Sequence, residues 1–409
     1  MTSKFEGLWA RAARFMAVFG AAAALVACGG GGGGGSAAGD GSLRIALTDA
    51  AASCAYDHVY VTVEKVRVHQ SAGAADEAAG WSEMVVSPTR RVDLRTLTNG
   101  VLEELGTMPL AAGQYSQIRL VLADNTGTGA AAMANAVQPT GGALTALTTP
   151  SGQQSGLKLQ AHFEVVAGQM ADLVLDFDPC RSVVKAGNSG QYLLKPVISV
   201  MQRSVTMVQG FVSTTLSPAS TTVAAQQDGV TVRSTIPDGS GKFSIPYLPA
   251  GNYNLVISSD GHATAVITGV PAGTVTTMVN GTATAIAPPL SSMADVTGTV
   301  TVSSVSGSTT VSTALTEASV RALQSLTGGP IIELGNKPVD GVLGTYGFRL
   351  PVGAPVKAGY VAGSALSFTA DAAAAGKYTI QVQSPGRATQ EKPADIAGGS
   401  TTVNFNYGP

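Results

Sequence analysis

In the stretch ADLVLDFDP, Asp172, Asp176 and Asp178 fall on one parity of an alternating run. Carboxylates repeating along one strand face can hold a hard cation through oxygen ligands. The same spacing is what a half-exposed strand requires, with Leu173, Leu175 and Phe177 toward a core and the aspartates toward water. We adopt that second reading and assign no metal. Asp124, Asp238 and Asp260 stand in turn contexts, where Asx residues serve the backbone. The four histidines, His58, His69, His162 and His262, match neither H-E-x-x-H nor a pairing with C-x-x-C, so they are expected at the surface or in turns. There is no G-x-S-x-G elbow, no G-x-G-x-x-G opening a helix and no P-loop. The expectation is therefore no catalytic residue and no cofactor. An enzyme built from dispersed acids would need Asp124, Asp176 and Asp178 to converge in one pocket, and it ranks last.

The remaining chemistry lies in three cysteines, Cys28, Cys54 and Cys180. Lys4, Arg11 and Arg14 precede an uncharged, alanine-rich run from Phe15 to Val26 that ends at Leu25-Val26-Ala27-Cys28. That order is the order of a secretory signal. The run falls short of the ~20 apolar residues that a membrane-spanning helix takes. Leu25 to Cys28 resembles the bacterial lipobox, which implies that Cys28 becomes the acylated N-terminus. The seven glycines that follow form a flexible tether, spanning on the order of 20 Å as far as Gly41. Multiple acyl chains hold such an anchor at about 0.8 kcal/mol per buried methylene. Gly29, in place of an aspartate after the lipid cysteine, points to the outer membrane. Export to an oxidising compartment then leaves Cys54 and Cys180 as the two thiols available to each other, and a disulfide between them is expected. Closing so long a loop constrains the unfolded chain by roughly 4–5 kcal/mol in the entropy model.

A chain of 409 residues, less signal and tether, is long enough for two or three domains. Charged residues make up 12% and the net charge is −2, without a basic run, which argues against nucleic acid as a partner. Hydrophobic residues at 44%, 50 glycines and short Val/Thr-rich runs predict an all-β chain of tandem antiparallel sandwiches. In YDHVYVTVEKVRVHQ, Val59, Val61 and Val63 alternate, and Val66 and Val68 continue one residue out of step, which predicts a β-bulge at Glu64-Lys65. Further one-faced strands run through Ser116–Leu122, Leu157–Val165 and Leu173–Phe177. Residues 127–155, rich in Ala, Gly and Thr, read as a long surface loop.

LRIALTDA, the V-x-V-x-V strand, LAAGQYSQIRLVL and DFDPCRSVV together resemble DUF4382, a bacterial lipoprotein domain without an assigned activity, over 42–203. Ala50 stands where that pattern would place a proline, so nothing specific about this turn carries over. Beyond it, VQGFV, GVTVRST, the turn Asp238-Gly239-Ser240-Gly241 and LPAGNYNLVIS resemble the regulatory-like domain of carboxypeptidases over 206–284. That resemblance implies a small transthyretin-like sandwich, grouped with carbohydrate-binding-like folds. VTGTV at Val296 echoes VQGFV at Val208, and AGKYTIQV echoes AGNYNLVI, so 295–409 is expected to be a divergent second copy. An insertion is expected between about Thr327 and Ala375, and a proline-stiffened linker over 285–294. The organisation that follows is signal 1–27, lipidated cysteine and tether 28–41, and three sandwiches.

The function expected from these features is a non-enzymatic envelope lipoprotein acting in adhesion or assembly. Its partners would be the membrane through the lipid anchor and an envelope protein or glycan. A carbohydrate-binding role is the alternative, although aromatic residues are only 5% and Trp81, the one tryptophan outside the signal, is expected in a core or at its edge.

Overall fold

The computed structural model describes residues 39–49, 54–150, 155–204, 206–307 and 309–408. Cys28, the signal and the tether lie outside the described residues. What is described is nearly all strand, arranged as three sandwiches with separate hydrophobic cores.

In the first sandwich a four-stranded sheet runs Ile198–Gln202, Met170–Phe177, Asp40–Asp49, Glu103–Ala111. The two middle strands are parallel, which sets Thr48 beside Asp176 and Asp49 beside Phe177. The facing sheet of eight strands is centred on Tyr56–His69 and Gly113–Leu122. Tyr56–His69 shifts register between Val63 and Lys65 against both Ser82–Asp93 and Gly113–Leu122, so the bulge puts Val59, Val61, Val63, Val66 and Val68 all in the core. Of the loop expected over 127–155, the described stretch 127–150 is more ordered than its composition suggested. It contains a 3-10 turn, Ala131–Met133, and a pair of short strands, Ala136–Pro139 and Thr145–Thr148. Two asparagines supply the bonds that apolar periodicity does not. Asn125 Nδ2 donates to Asn135 O and Leu147 O, while Asn135 Oδ1 accepts from Thr62 N at 3.0 Å.

The second and third sandwiches share one topology. Met207–Phe211 lies between antiparallel Lys242–Pro246 and parallel Thr277–Met278, just as Met293–Ser306 lies between antiparallel Thr345–Pro351 and parallel Thr401–Thr402. The opposite sheets run Val230–Thr235, Thr221–Gln227, Gly251–Ser259, Ala265–Ala272 and Ile331–Pro338, Ser319–Ser325, Lys377–Gln383, Gln390–Asp395. The glycine of the echoed pentapeptide does the same work in each. A Cβ on Gly210 would meet Phe243 at 2.6 Å, and one on Gly298 would meet Val403 O at 1.9 Å. Register pairs Gly210 with Phe243 and Gly298 with Tyr346, so a neighbouring ring occupies the space left by the missing side chain.

The tyrosines of the second echo locate the insertion. Tyr253 Oη donates to Pro249 O at 2.8 Å, four residues back, and Tyr115 in AAGQY of the first sandwich does the same to Ala111 O at 3.0 Å. Such a corner fixes the chain as it turns into a strand. Tyr378 reaches instead to Pro351 O at 2.5 Å, the last residue of Thr345–Pro351. The extra chain therefore sits between Pro351 and Gly376, and the expected start near Thr327 was too early. Ile331–Pro338 and Thr345–Pro351 are regular strands of the copy. The inserted strands, Val356–Gly359 and Thr369–Ala370, belong to the sheet of the second sandwich, where Val356–Gly359 runs parallel to Ala265–Thr268. The proline-containing segment after Ala285 also packs on the second sandwich, with Ile286 buried and bridged to Val212.

Candidate functional site

The three sandwiches meet one another pairwise through polar bonds, the second and third also through a buried apolar cluster of Val256, Val266, Leu326, Ile332 and Ala374, and a cavity of about 410 Å³ lies at the junction. The first contributes Tyr56, Asp176, Asp178, Arg181 and Ser199; the second contributes Thr231, Arg233 and Ser258; the third contributes Asn336, Lys337 and Phe348. An adjoining cavity of about 390 Å³ shares Arg181, Val197 and Asn336 and adds Lys195 and Glu317.

Asp176 corrects the expectation drawn from alternation. Leu173, Leu175 and Phe177 do face the core, but Asp176 does not face water; it is 3% exposed and Val174 on the same side is fully buried. The outer face of Met170–Phe177 is covered by the second sandwich, whose Arg233 places Nη2 3.3 Å from Asp176 Oδ1. Burial pushes the Asp176 carboxyl up to about 6, against the opposing pull of Arg233. Asp178 caps the short helix Pro179–Ser182, accepting from Arg181 N at 3.0 Å, with Arg181 Nε 4.0 Å away. Burial raises it to about 6 as well. Asp49, on the neighbouring strand, has a fully buried side chain 3.6 Å from Arg95, neither carboxylate oxygen is hydrogen-bonded among the described residues, and burial raises its pKa well above the usual range. Asp172 pairs with Arg44 and Arg203 at the far end of the strand.

Cys54 and Cys180 form a disulfide, with Cα atoms 5.6 Å apart, and both line the junction cavity. The bond ties the chain entering Tyr56–His69 to the helix after the acidic strand, beside Asp178.

The wall from the third sandwich combines closed and open groups. Arg321 Nε is 2.5 Å from Glu333 Oε2, and its other nitrogens bond Gln381 Oε1 and Gly229 O of the second sandwich. Gln226 grips the Glu333 backbone at both ends, accepting from its N–H at 2.9 Å and donating to its carbonyl at 2.6 Å. Lys337 has no carboxylate within 4 Å among the described residues. Its Nζ rests 4.7 Å from the centre of the Phe348 ring, and burial lowers its pKa. Asn336 donates weakly to Glu333 at 3.4 Å, and its Oδ1 is buried without a hydrogen-bond partner among the described residues.

The other sequence-derived candidates do not gather. Asp124 is exposed and outside the cavity, so Asp176 and Asp178 converge without it. His58 contacts Asp93 at 2.6 Å, His69 bonds Ala79 O and packs against Trp81, His162 is exposed, and half-buried His262 is bridged to Leu290 with its ring 3.0 Å from Asp260 O. Trp81 sits at the periphery of the first sandwich beneath Arg67 and Arg119. Among the described residues no cluster of His, Cys, Asp or Glu is arranged to hold a metal ion. Arg233, Asn336 and Lys337 were missed by the sequence reading. The one signal was Arg233 as the lone charge within GVTVRST.

Solved chains similar to this one include a type II cohesin–X-dockerin complex from Acetivibrio cellulolyticus, at 27% identity over 20% of this chain and 55% of that one. They also include the Bacillus anthracis TIE protein, at 12% over 90% and 50%, and the pilus adhesin SpaC from Lactobacillus rhamnosus GG, at 8% over 90% and 43%. The TM-score is 0.17 for each, and the chain spans about half the length of the solved chains it matches. No curated protein matches it. In the sandwich that carries the disulfide and the acidic strand, residues 40–196 match the model of a domain of unknown function, DUF4382.

Proposed function

We propose that the chain is a non-enzymatic lipoprotein of the cell envelope, anchored through Cys28 in the outer membrane, whose sandwiches act as one body in adhesion or envelope assembly. The two C-terminal sandwiches are read as carboxypeptidase regulatory-like copies, on the shared topology and the paired glycines and tyrosines. The observation that carries the proposal is the closed junction. Asp176 and Glu333, carboxylates of the kind a hydrolytic reaction would employ, are each committed to an arginine. Further bonds join the first sandwich to the third, from Gly187 N to Asp340 Oδ1 at 2.9 Å and from Lys195 Nζ to Glu317 Oε1 at 3.0 Å. Such a junction favours a fixed spacing between surfaces over a moving catalytic site.

Metabolic labelling with an alkyne fatty acid, followed by membrane fractionation and in-cell crosslinking with mass spectrometry, tests this reading. Wild-type chain should carry label in the outer-membrane fraction and crosslink to envelope components, and Cys28→Ser should lose the label. An unlabelled wild-type chain would replace the anchor with plain secretion.

A further inference from the structure

We propose that the junction cavity binds an acidic sugar, a small polyol bearing a carboxylate. The inference deepens the binding role proposed above and rests on it. Three features of the wall lead to it.

The first is an uncompensated cation. Arg233 is closed by Asp176, Arg349 by Asp260 at 2.9 Å, and Glu333 is satisfied by Arg321. Lys337 alone among the cavity's cations meets a ring face and no carboxylate among the described residues. Burying an ammonium without a counterion is costly, and an anion entering the cavity removes that cost. The second is the opposite need. Among the described residues Asn336 Oδ1 is a buried acceptor without a donor, Asp178 offers carboxylate oxygens, and Ser199 and Ser258 add hydroxyls. A bare anion cannot donate to these acceptors, whereas the O–H groups of a polyol can. The third is room. A volume of about 410 Å³ lies within the range of ~300–1,000 Å³ of small-ligand sites, and an adjoining cavity shares Arg181 and Asn336 with it. Carboxylate toward Lys337 and Arg181, hydroxyls toward Asn336 and Asp178, answers both needs at once.

Calorimetric titration of the purified full-length protein with glucuronate, glucose and inorganic phosphate tests the site. Glucuronate should bind saturably and glucose should not. Lys337→Met, which keeps the stem over Phe348, should weaken binding at least about tenfold, as loss of a charge-assisted bond does. Lys337→Arg should retain binding within a few fold, which separates loss of charge from damage to the fold. Phosphate binding as tight as glucuronate would overturn the sugar class, and no heat with glucuronate at millimolar concentration would overturn the site. A chain that takes up fatty-acid label but ignores glucuronate fails here alone; one that binds glucuronate without label loses the anchor and keeps the site.

Discussion

Arg233 of the second sandwich and Asp176 of the first form an ion pair 3.3 Å long in which both side chains are 2% exposed. The pair crosses a domain boundary and is sealed as deeply as a core residue. Arg233 also donates to Met201 Sδ at 2.7 Å and lies 5.7 Å from the Tyr247 ring, so the guanidinium is held by both sandwiches.

Removing one partner should cost far more than removing both. Arg233→Met leaves a buried carboxylate without its counterion and should destabilise the chain by about 3–5 kcal/mol. Arg233→Met with Asp176→Leu should recover most of that loss, because well-packed apolar groups often replace a buried pair at little cost. Urea unfolding of the two single variants and the double variant measures the coupling. Simple additivity would show that the pair does not join the sandwiches.

Stability should fall as pH rises from about 4 to about 6. Asp176 and Asp178 have folded-state pKa values raised to about 6 by burial, above the usual value of 3.8. Between those limits the folded chain keeps protons that the unfolded chain has released, so their stabilisation is complete below the lower limit and lost through the upper one. Each contributes on the order of 2–3 kcal/mol to that slope. Asp178→Asn preserves the cap, since asparagine caps as well as aspartate, and should flatten its share. Urea midpoints at several pH values decide this; parallel curves for wild type and variant would contradict the assignment.

The echoed glycines should be intolerant of one methyl group. Gly298→Ala drives a Cβ into Val403 O, and Gly210→Ala drives one into Phe243 and Asn280. Each should cost at least about 1–3 kcal/mol through overpacking. Gly359→Ala, where nothing among the described residues lies within 4 Å, should stay within about 0.5 kcal/mol. Thermal melts of the three variants compare them directly, and equal melting temperatures would remove the common role of Gly210 and Gly298.

Much of this architecture is legible in the residues. The phase slip at Glu64-Lys65 gave the bulge, the turn Asp238-Gly239-Ser240-Gly241 is closed by Asp238 Oδ1 accepting from Ser240 N at 2.8 Å, and the pentapeptide echo marked the common topology. The junction was not legible, for a physical reason. Alternation reports that one strand face is apolar, and it is silent on what covers the other. Asp176 satisfies the pattern of a solvated strand, yet it is buried because Arg233, distant in sequence, supplies the charge that water would otherwise screen. The pair of asparagines at 125 and 135 escaped for a related reason, since side-chain bonds to the backbone leave no periodic trace. Lys337 lay in a stretch read as insertion, so its place on a regular strand beside Phe348 could not be seen.

The strand Val356–Gly359 has a consequence in time as well as in space. It extends a sheet whose earlier strands end at Ala272, and the chain is made from its N-terminus. Until residue 359 has been synthesised, Ala265–Thr268 shows an unpaired row of backbone donors and acceptors along an apolar strand, the kind of surface that templates pairing with a neighbouring chain. The second sandwich is thus finished by the third, and a nascent or truncated chain ending near residue 290 carries an aggregation-prone border that the whole protein never exposes.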